Sequence, residues 1–359
     1  MESHPQEVTV LYGLLAAALF GISAPLAKLL LEGADPIVLA GLLYLGAGIA
    51  LGAAMILSSA RGRSRREARL ERRDVPWLVG AILAGGVVGP ILLLLGLQQT
   101  AAATASLLLN FEVVATGLIA FFLFKESVGR TTWIAIAAVA AGGALLSLDP
   151  SSGWGISAGA LLVLGACLAW GFDNNFTGKI SLKDPNRIVA IKGFAAGTFS
   201  LLLGLSLGRP FPTPGRVLWA LALGSAGYGA SIALFVQSLR RVGAARTGAL
   251  FGMAPFVGVA LSLLIFRQLP ETTFFIALPL MILAAVLLAG EKHEHRHVHA
   301  EEIHIHSHNH DDPHHQHEHV SGSPGTGTHT HEHKHSAMPH VHAHKPDPHH
   351  RHEHDAPLG

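Results

Sequence analysis

Long apolar runs separated by short polar breaks fill most of this chain, and the breaks set its elements. The runs fall at about 8–31, 36–58, 76–98, 103–124, 130–148, 156–177, 187–207, 215–238, 246–266 and 271–290. A helix that crosses about 30 Å of hydrocarbon needs roughly 20 apolar residues. A soluble helical protein would instead repeat charges along one face of each helix, turn after turn, and these runs lack them. The pattern predicts an all-α membrane protein of about ten transmembrane helices, with connections too short to hold further domains. Met1 to Thr9 carry neither a positive cluster nor a small-residue cleavage signature, so the first run reads as a retained span.

Basic residues in the short loops give the expected orientation. Arg61, Arg63, Arg65, Arg66, Arg69, Arg72 and Arg73 follow span 2. Lys125, Arg130, Lys179, Lys183, Arg187, Arg240, Arg241 and Arg246 lie on the same side, 15 residues in all against Arg209, Arg216 and Arg267 opposite. Both termini are therefore expected in the cytoplasm, and the chain in the cytoplasmic (inner) membrane as a multi-pass protein.

The chain also aligns with itself. TAAATASLLLNFEVVATGLIAFFLFKE, from Thr100, resembles VGAARTGALFGMAPFVGVALSLLIFRQ, from Val242. Thr104 meets Thr247, Glu112 falls opposite Pro255, and after one gap Lys125–Glu126 meets Arg267–Gln268. LFGISAPLAKL in span 1 matches AWGFDNNFTGK in span 6 more weakly. Each half then holds five helices, and because five is odd the halves cross the membrane with opposite polarity. Inverted repeats of this kind place a transport site near the midplane between the halves.

The two five-helix halves, with a Thr-Ala-small-Leu segment opening spans 4 and 9, resemble the EamA domains of the drug/metabolite transporter superfamily. The resemblance covers residues 8–290, with repeats at 8–148 and 156–290. It implies ten helices, inverted repeats and secondary active transport, and leaves the cargo open. One departure is that Glu112 stands where the family usually has a proline in span 4, whereas Pro255 keeps it in span 9. LNFE in span 4, WGFDNN in span 6 and the histidine-rich tail together look like a subgroup of this family often linked to metal ions.

Two acidic residues lie well inside the spans, Glu112 in span 4 and Asp173 in span 6. A carboxylate at the bilayer centre costs at least about 2.5–3.5 kcal/mol on insertion scales, so such residues usually face the bundle interior or a water-filled path. Asn110 lies close to Glu112, and Asn174 and Asn175 follow Asp173 directly. Successive helical residues point about 100° apart, so the three polar groups of span 6 cannot all face one cavity, and at least one is expected to cap a neighbouring helix. The candidate transport and substrate-binding residues are Glu112, Asp173, Asn110, Asn174 and Asn175, where protons and a cationic cargo would compete for the same carboxylates. The alternative is a purely structural role, with these groups bonding across helices. Lys28 reads as a lysine snorkelling to the outer interface, or else as a counter-ion. Lys192 lies in or near a span, and Pro255 is the candidate hinge.

Composition changes abruptly after Gly290. Of the 24 histidines, 23 follow it, in HEHRHVHAEEIHIHSHNH, HHQHEHV, HTHEHKH, PHVHAH and HHRHEH. Residues 291–359 carry too little apolar surface to offset the entropy of ordering, so a disordered tail is expected. Neutral imidazoles on a flexible chain suit Zn, Ni and Co. The candidate tail ligands are His293, His295, His297, His299, His304, His306, His308, His310, His314, His315, His317, His319, His329, His331, His333 and His335. Their irregular spacing predicts several exchangeable sites of modest affinity. The spans, in contrast, hold no histidine and a single cysteine, Cys167, so the membrane path offers mainly oxygen ligands and no disulfide or CxxC site exists.

The expected function is secondary active transport of divalent transition-metal cations of the Ni/Co/Zn class, outward and coupled to protons. An amino-acid or small-metabolite exporter whose tail senses or buffers metal is the alternative, and a membrane-tethered metal store without transport is a third reading. No nucleophile–base pair or phosphate-binding loop points to an enzyme, and no cofactor is required beyond metal ions on the tail. The expected partners are the lipid bilayer, divalent metal ions and a small-molecule or ion substrate, with a homodimer allowed and no nucleic acid.

Overall fold

The computed structural model describes residues 4–60, 70–125, 129–149, 155–181, 183–242, 244–290, 293–298, 302–308, 329–335 and 339–344. All ten apolar runs are helical. Seven are long and apolar enough to cross a membrane: Val10–Gly33, Pro36–Ala60, Arg72–Gln99, Ala102–Phe124, Arg130–Ser147, Pro185–Ser206 and Pro214–Ser238. Ala254–Phe266 and Thr272–Leu288 are shorter apolar helices. The remaining one, span 6 at Ala158–Lys179, is made more polar by Asp173, Asn174 and Asn175. The fold is thus the all-helical membrane bundle expected from the pattern.

The helix contacts repeat between the halves. Span 6 packs along spans 3 and 4, and in the same way span 1 packs along spans 8 and 9. Spans 2 and 7, and spans 5 and 10, pair with each other across the pseudo-symmetry. The span 2–span 7 crossing is closest at glycine: a Cβ on Gly193 would lie 2.6 Å from the Gly48 nitrogen, and one on Gly197 2.7 Å from the Leu45 nitrogen. Where lipid is as apolar as the helix surface, this close backbone contact is what holds helices together.

Several spans that read as continuous from hydropathy are broken, and the breaks themselves are paired. Span 4 consists of Ala102–Leu108 and Phe111–Phe124, and span 9 of Ala244–Phe251 and Ala254–Phe266. Both second halves end in a left-handed residue, Lys125 at φ 59° and Arg267 at φ 49°, the only non-glycine residues with positive φ among those described. Spans 3 and 8 each carry a π-helical segment, Ile82–Val88 and Ser225–Ala230. Span 1 also breaks, between His4–Gly21 and Ser23–Leu30. Hydropathy averages over these interruptions because the few polar residues at them, such as Asn110 and Glu112, are outweighed by apolar neighbours.

One of these breaks lies directly before Pro255, the candidate hinge. That proline does not kink a continuous helix: it occupies the first turn of the second half-helix of span 9. A backbone N–H there has no intrahelical partner in any case, so losing it costs nothing. Glu112 sits in the first turn of the corresponding half-helix of span 4, where the positive end of the peptide dipoles favours a carboxylate. The two unlike residues that align in the repeat therefore occupy equivalent first-turn positions in their half-helices.

Lys28 reaches the end of span 3. Its Nζ donates to the carbonyls of Leu97 at 2.8 Å and Thr100 at 2.5 Å, at the C-terminus of the Gly89–Gln99 helix of span 3. There it neutralises the negative end of that helix.

In the tail, where no fixed pairing is expected, four described segments run as strands: β1 His293–Val298, β2 Glu302–His308, β3 His329–His335 and β4 Pro339–His344. β1 pairs antiparallel with β4 and β2 with β3. The register sets His293, His295 and His297 opposite His344, His342 and His340, and His304, His306 and His308 opposite His333, His331 and His329. Strict alternation of histidine has the period of a strand. His299, His310, His314, His315, His317 and His319 lie outside the described residues.

Candidate functional site

The polar residues of spans 4 and 6 meet where span 4 breaks. The chain turns at Leu109 and Asn110, and the buried Asn110 folds back, its Nδ2 donating to the Leu107 carbonyl at 2.8 Å. The amide nitrogen of Asn110 therefore closes the broken turn. Cys167 lies against the same turn, its Sγ 3.6 Å from the Leu108 carbonyl that it donates to.

Glu112 begins the next half-helix. Its Oε1 accepts from Asn174 Nδ2 at 2.9 Å, and the same amide group donates to Thr116 Oγ1 at 3.0 Å. Thr116 in turn donates to the Glu112 carbonyl at 2.8 Å. Close approach of the helices makes these bonds possible: a Cβ on Gly171 would lie 2.9 Å from Ala115 backbone and side-chain carbons. Asn175 points elsewhere, donating to the carbonyls of Thr116 at 3.0 Å and Gly171 at 2.8 Å. Like Asn174 it ties span 6 to span 4, but through a backbone carbonyl. Glu112 has no cationic partner within ion-pair distance among the described residues.

Asp173 has a separate set of partners. It is buried, its Oδ1 accepts from Thr177 Oγ1 at 3.0 Å, and its Oδ2 is ion-paired with Lys192 of span 7. The π segment of span 3 seats this pair. Gly85 is so close to the Asp173 carboxylate that a Cβ there would overlap it, and a Cβ on Gly86 would lie 3.7 Å from Lys192 Cγ. The Gly85 carbonyl accepts from Tyr44 of span 2 at 2.5 Å and from Trp170 Nε1 of span 6 at 3.0 Å. A π segment opens the regular hydrogen-bond ladder, frequently at functional positions, and here side chains of two other spans fill the opening.

The structure thus brings together Glu112, Asn174 and, beyond the residues expected from sequence, Thr116. It adds Lys192, Tyr44, Trp170 and Gly85 around Asp173. Of these, only Lys192 carried a signal in the sequence, a cation in an apolar run. Among the described residues, no three His, Cys, Asp or Glu side chains converge as a metal site. A polar cavity of about 340 Å³ lies at the end of the bundle away from Lys125 and Lys179. Thr100, Thr104, Asp149, Ser157, Gln268 and Glu271 line it, and neither Glu112 nor Asp173 does.

Comparison with known proteins agrees with this architecture. The EamA-like transporter family model matches residues 8–148 and again 157–290. An uncharacterized transporter of Methanothermobacter thermautotrophicus (strain ATCC 29096 / DSM 1053 / JCM 10044 / NBRC 100330 / Delta H) is 29% identical over 266 residues, covering 70% of this chain and 78% of the relative. A protein crystal structure superposes with a TM-score of 0.56 at 21% identity, covering 78% of this chain and 95% of that one, which speaks to the fold alone.

Proposed function

Because the chain belongs to the EamA-like transporter family, we propose that it is a secondary transporter that exports a divalent transition-metal cation of the Ni/Co/Zn class in exchange for protons. The observation that carries the reading is Glu112: an intramembrane carboxylate at a helix break, hydrogen-bonded by Asn174 and without a cationic partner among the described residues. A carboxylate so placed attracts a cation or a proton, and the two compete, which couples their movements. The histidine-rich tail supports metal as the cation, with Zn, Ni or Co held on exchangeable imidazoles and delivered to, or withheld from, the cytoplasmic mouth. Asn174 and Thr116 supply further oxygen ligands beside Glu112, so the membrane path handles the ion transiently rather than storing it.

A second reading has its own support. Asp173 is already neutralised by Lys192, so Glu112, Asp173 and Lys192 together carry one net negative charge, which matches a monovalent organic ammonium group. Under this reading the protein exports a small amine or amino acid, and the tail regulates it. Proteoliposomes under an imposed pH gradient separate the two. Flux of Ni, Co or Zn that is lost in Glu112→Gln and kept in a chain ending at Gly290 supports metal export with an accessory tail. No flux of any of the three in the wild type sinks the metal reading and leaves the organic one.

A further inference from the structure

We propose that Lys192 is the resident counter-ion of the transport site: its ammonium occupies Asp173 when the carrier is empty and gives that carboxylate up to the cargo cation. The proposal rests on the metal-export reading above and adds how the empty carrier returns. Three observations support it. Asp173 and Lys192 are both largely withdrawn from solvent, with side chains 8% and 14% exposed. The pair spans two helices, span 6 and span 7, and the second of these packs along span 2 in the pseudo-symmetric core. A seat is built for it, since Gly85 and Gly86 of the π segment leave room that a Cβ at Gly85 would fill.

The physical argument concerns the half of the cycle without cargo. A carrier that alternates between two faces must move its empty site through the membrane as well as its loaded one. With Glu112 carrying the exchanged proton, Asp173 is the remaining buried carboxylate, and moving it unpaired costs more than moving it in an ion pair. Lys192 supplies the missing positive charge from within the protein. Once a cation arrives, the same ammonium is a competitor on Asp173, so it weakens cargo affinity by the fraction of time it holds the carboxylate. Glu112 has no comparable partner among the described residues, which leaves it to meet the incoming cation first. Asp173 would join once Lys192 yields.

The test compares two flux modes of the full-length protein in proteoliposomes, with Co²⁺ as the probe. Net efflux into cation-free medium requires the cargo-free carrier to return, with the exchanged proton on Glu112 and Lys192 on Asp173; exchange with Co²⁺ on both sides does not. Lys192→Met is expected to lower net efflux at least about tenfold while exchange stays within about threefold of wild type. Its half-saturating Co²⁺ for exchange should fall by about tenfold. Lys192→Arg, which keeps the charge, should retain both modes. Asp173→Asn/Lys192→Met removes both charges. It should keep the wild-type ratio of net efflux to exchange but raise the half-saturating concentration about tenfold, having lost a ligand. That double variant also covers the case in which Lys192→Met alone does not fold, because it leaves no buried charge unpaired. If half-saturation in the double variant equals that of wild type, or if Lys192→Met lowers net efflux and exchange equally, the pair is a structural bond and the proposal fails. Absence of Co²⁺, Ni²⁺ and Zn²⁺ flux in the wild type overturns the export reading and this proposal with it.

Discussion

Replacing Gly85 by alanine puts the seat of the Asp173–Lys192 pair to a direct test. A Cβ on Gly85 would overlap Oδ2 and Cγ of Asp173 and lie 2.5 Å from its Cβ. The obstacle is not the far end of a flexible chain, because Asp173 is short and fixed to span 6, which is packed along spans 3 and 4. Relief requires either that span 3 move away or that the carboxylate turn out of its position. Overpacking of this kind costs about 1–3 kcal/mol, and losing a hydrogen bond to a charged group costs about 1.5–3 kcal/mol more. Alanine returns roughly 0.5–1 kcal/mol through its lower backbone entropy. The expected destabilisation is therefore about 3–4 kcal/mol, taking the middle of those ranges. Gly117→Ala in span 4 is the control, since a Cβ there would meet only Ile136 Cδ1 at an ordinary 3.8 Å. Both can be measured by reversible unfolding in mixed detergent micelles, following helicity, alongside cation flux in liposomes. If Gly85→Ala lies within about 1 kcal/mol of Gly117→Ala and transports normally, the π segment does not seat the pair and the reasoning is wrong; that spread is the scatter expected of an unremarkable substitution.

Two further predictions follow from contacts nearer the ends of the bundle. Lys28→Met removes the donor to the Leu97 and Thr100 carbonyls. It should lower unfolding stability by about 1–3 kcal/mol, the cost of leaving charge-assisted acceptors unmet, and retention of full stability in micelles would contradict the capping role. Glu71, in the loop before span 3, has its carboxyl held below its ordinary value of 4.5, first by the hydrogen bond and charge of Lys183 and then by Arg73. Its folded-state value is depressed, so its contribution to stability is present above pH 4.5 and disappears as pH falls through the lower folded value. Thermal stability of wild type should therefore exceed that of Glu71→Gln at pH 6, with the two converging in acid below 4.5; a gap that persists there would rule out this linkage.

How much of this was legible in the sequence depends on the scale of the feature. Ten apolar runs and their opposed halves follow from hydropathy and self-alignment, because a membrane span must satisfy its own backbone and so declares itself by length. The breaks at 109–110 and 252–253 did not declare themselves. Asn110 and Glu112 at the first and Gly252 and Pro255 at the second are few among apolar residues, and an average over a window passes across them. Glu112 and Asp173 stood out as charges in apolar surroundings, but their partners could not be read from spacing. Asn174 reaches Glu112 across 62 positions and Trp170 reaches Gly85 across 85, distances at which only the fold decides who meets whom. Asn110, two residues from Glu112 in sequence, gives its amide donor to the break at Leu107, a partner that spacing alone did not indicate. Lys28 likewise reads as an interfacial lysine until the C-terminus of span 3 appears beside it.

The broken spans 4 and 9 carry one more implication. Their geometry matches from the break to the left-handed final residue, yet one half-helix opens with a carboxylate and the other with a proline. A scaffold that can swap the roles of its halves is even-handed about shape, so facing one side or the other need cost much the same. Charge does not share that balance, because only one of the two openings can hold a proton or a cation. The two end states of such a carrier are related by a two-fold rotation in backbone and unequal in electrostatics. Any preference for the direction of travel would then come from which face presents Glu112 to the ion, with the helices serving as a neutral frame.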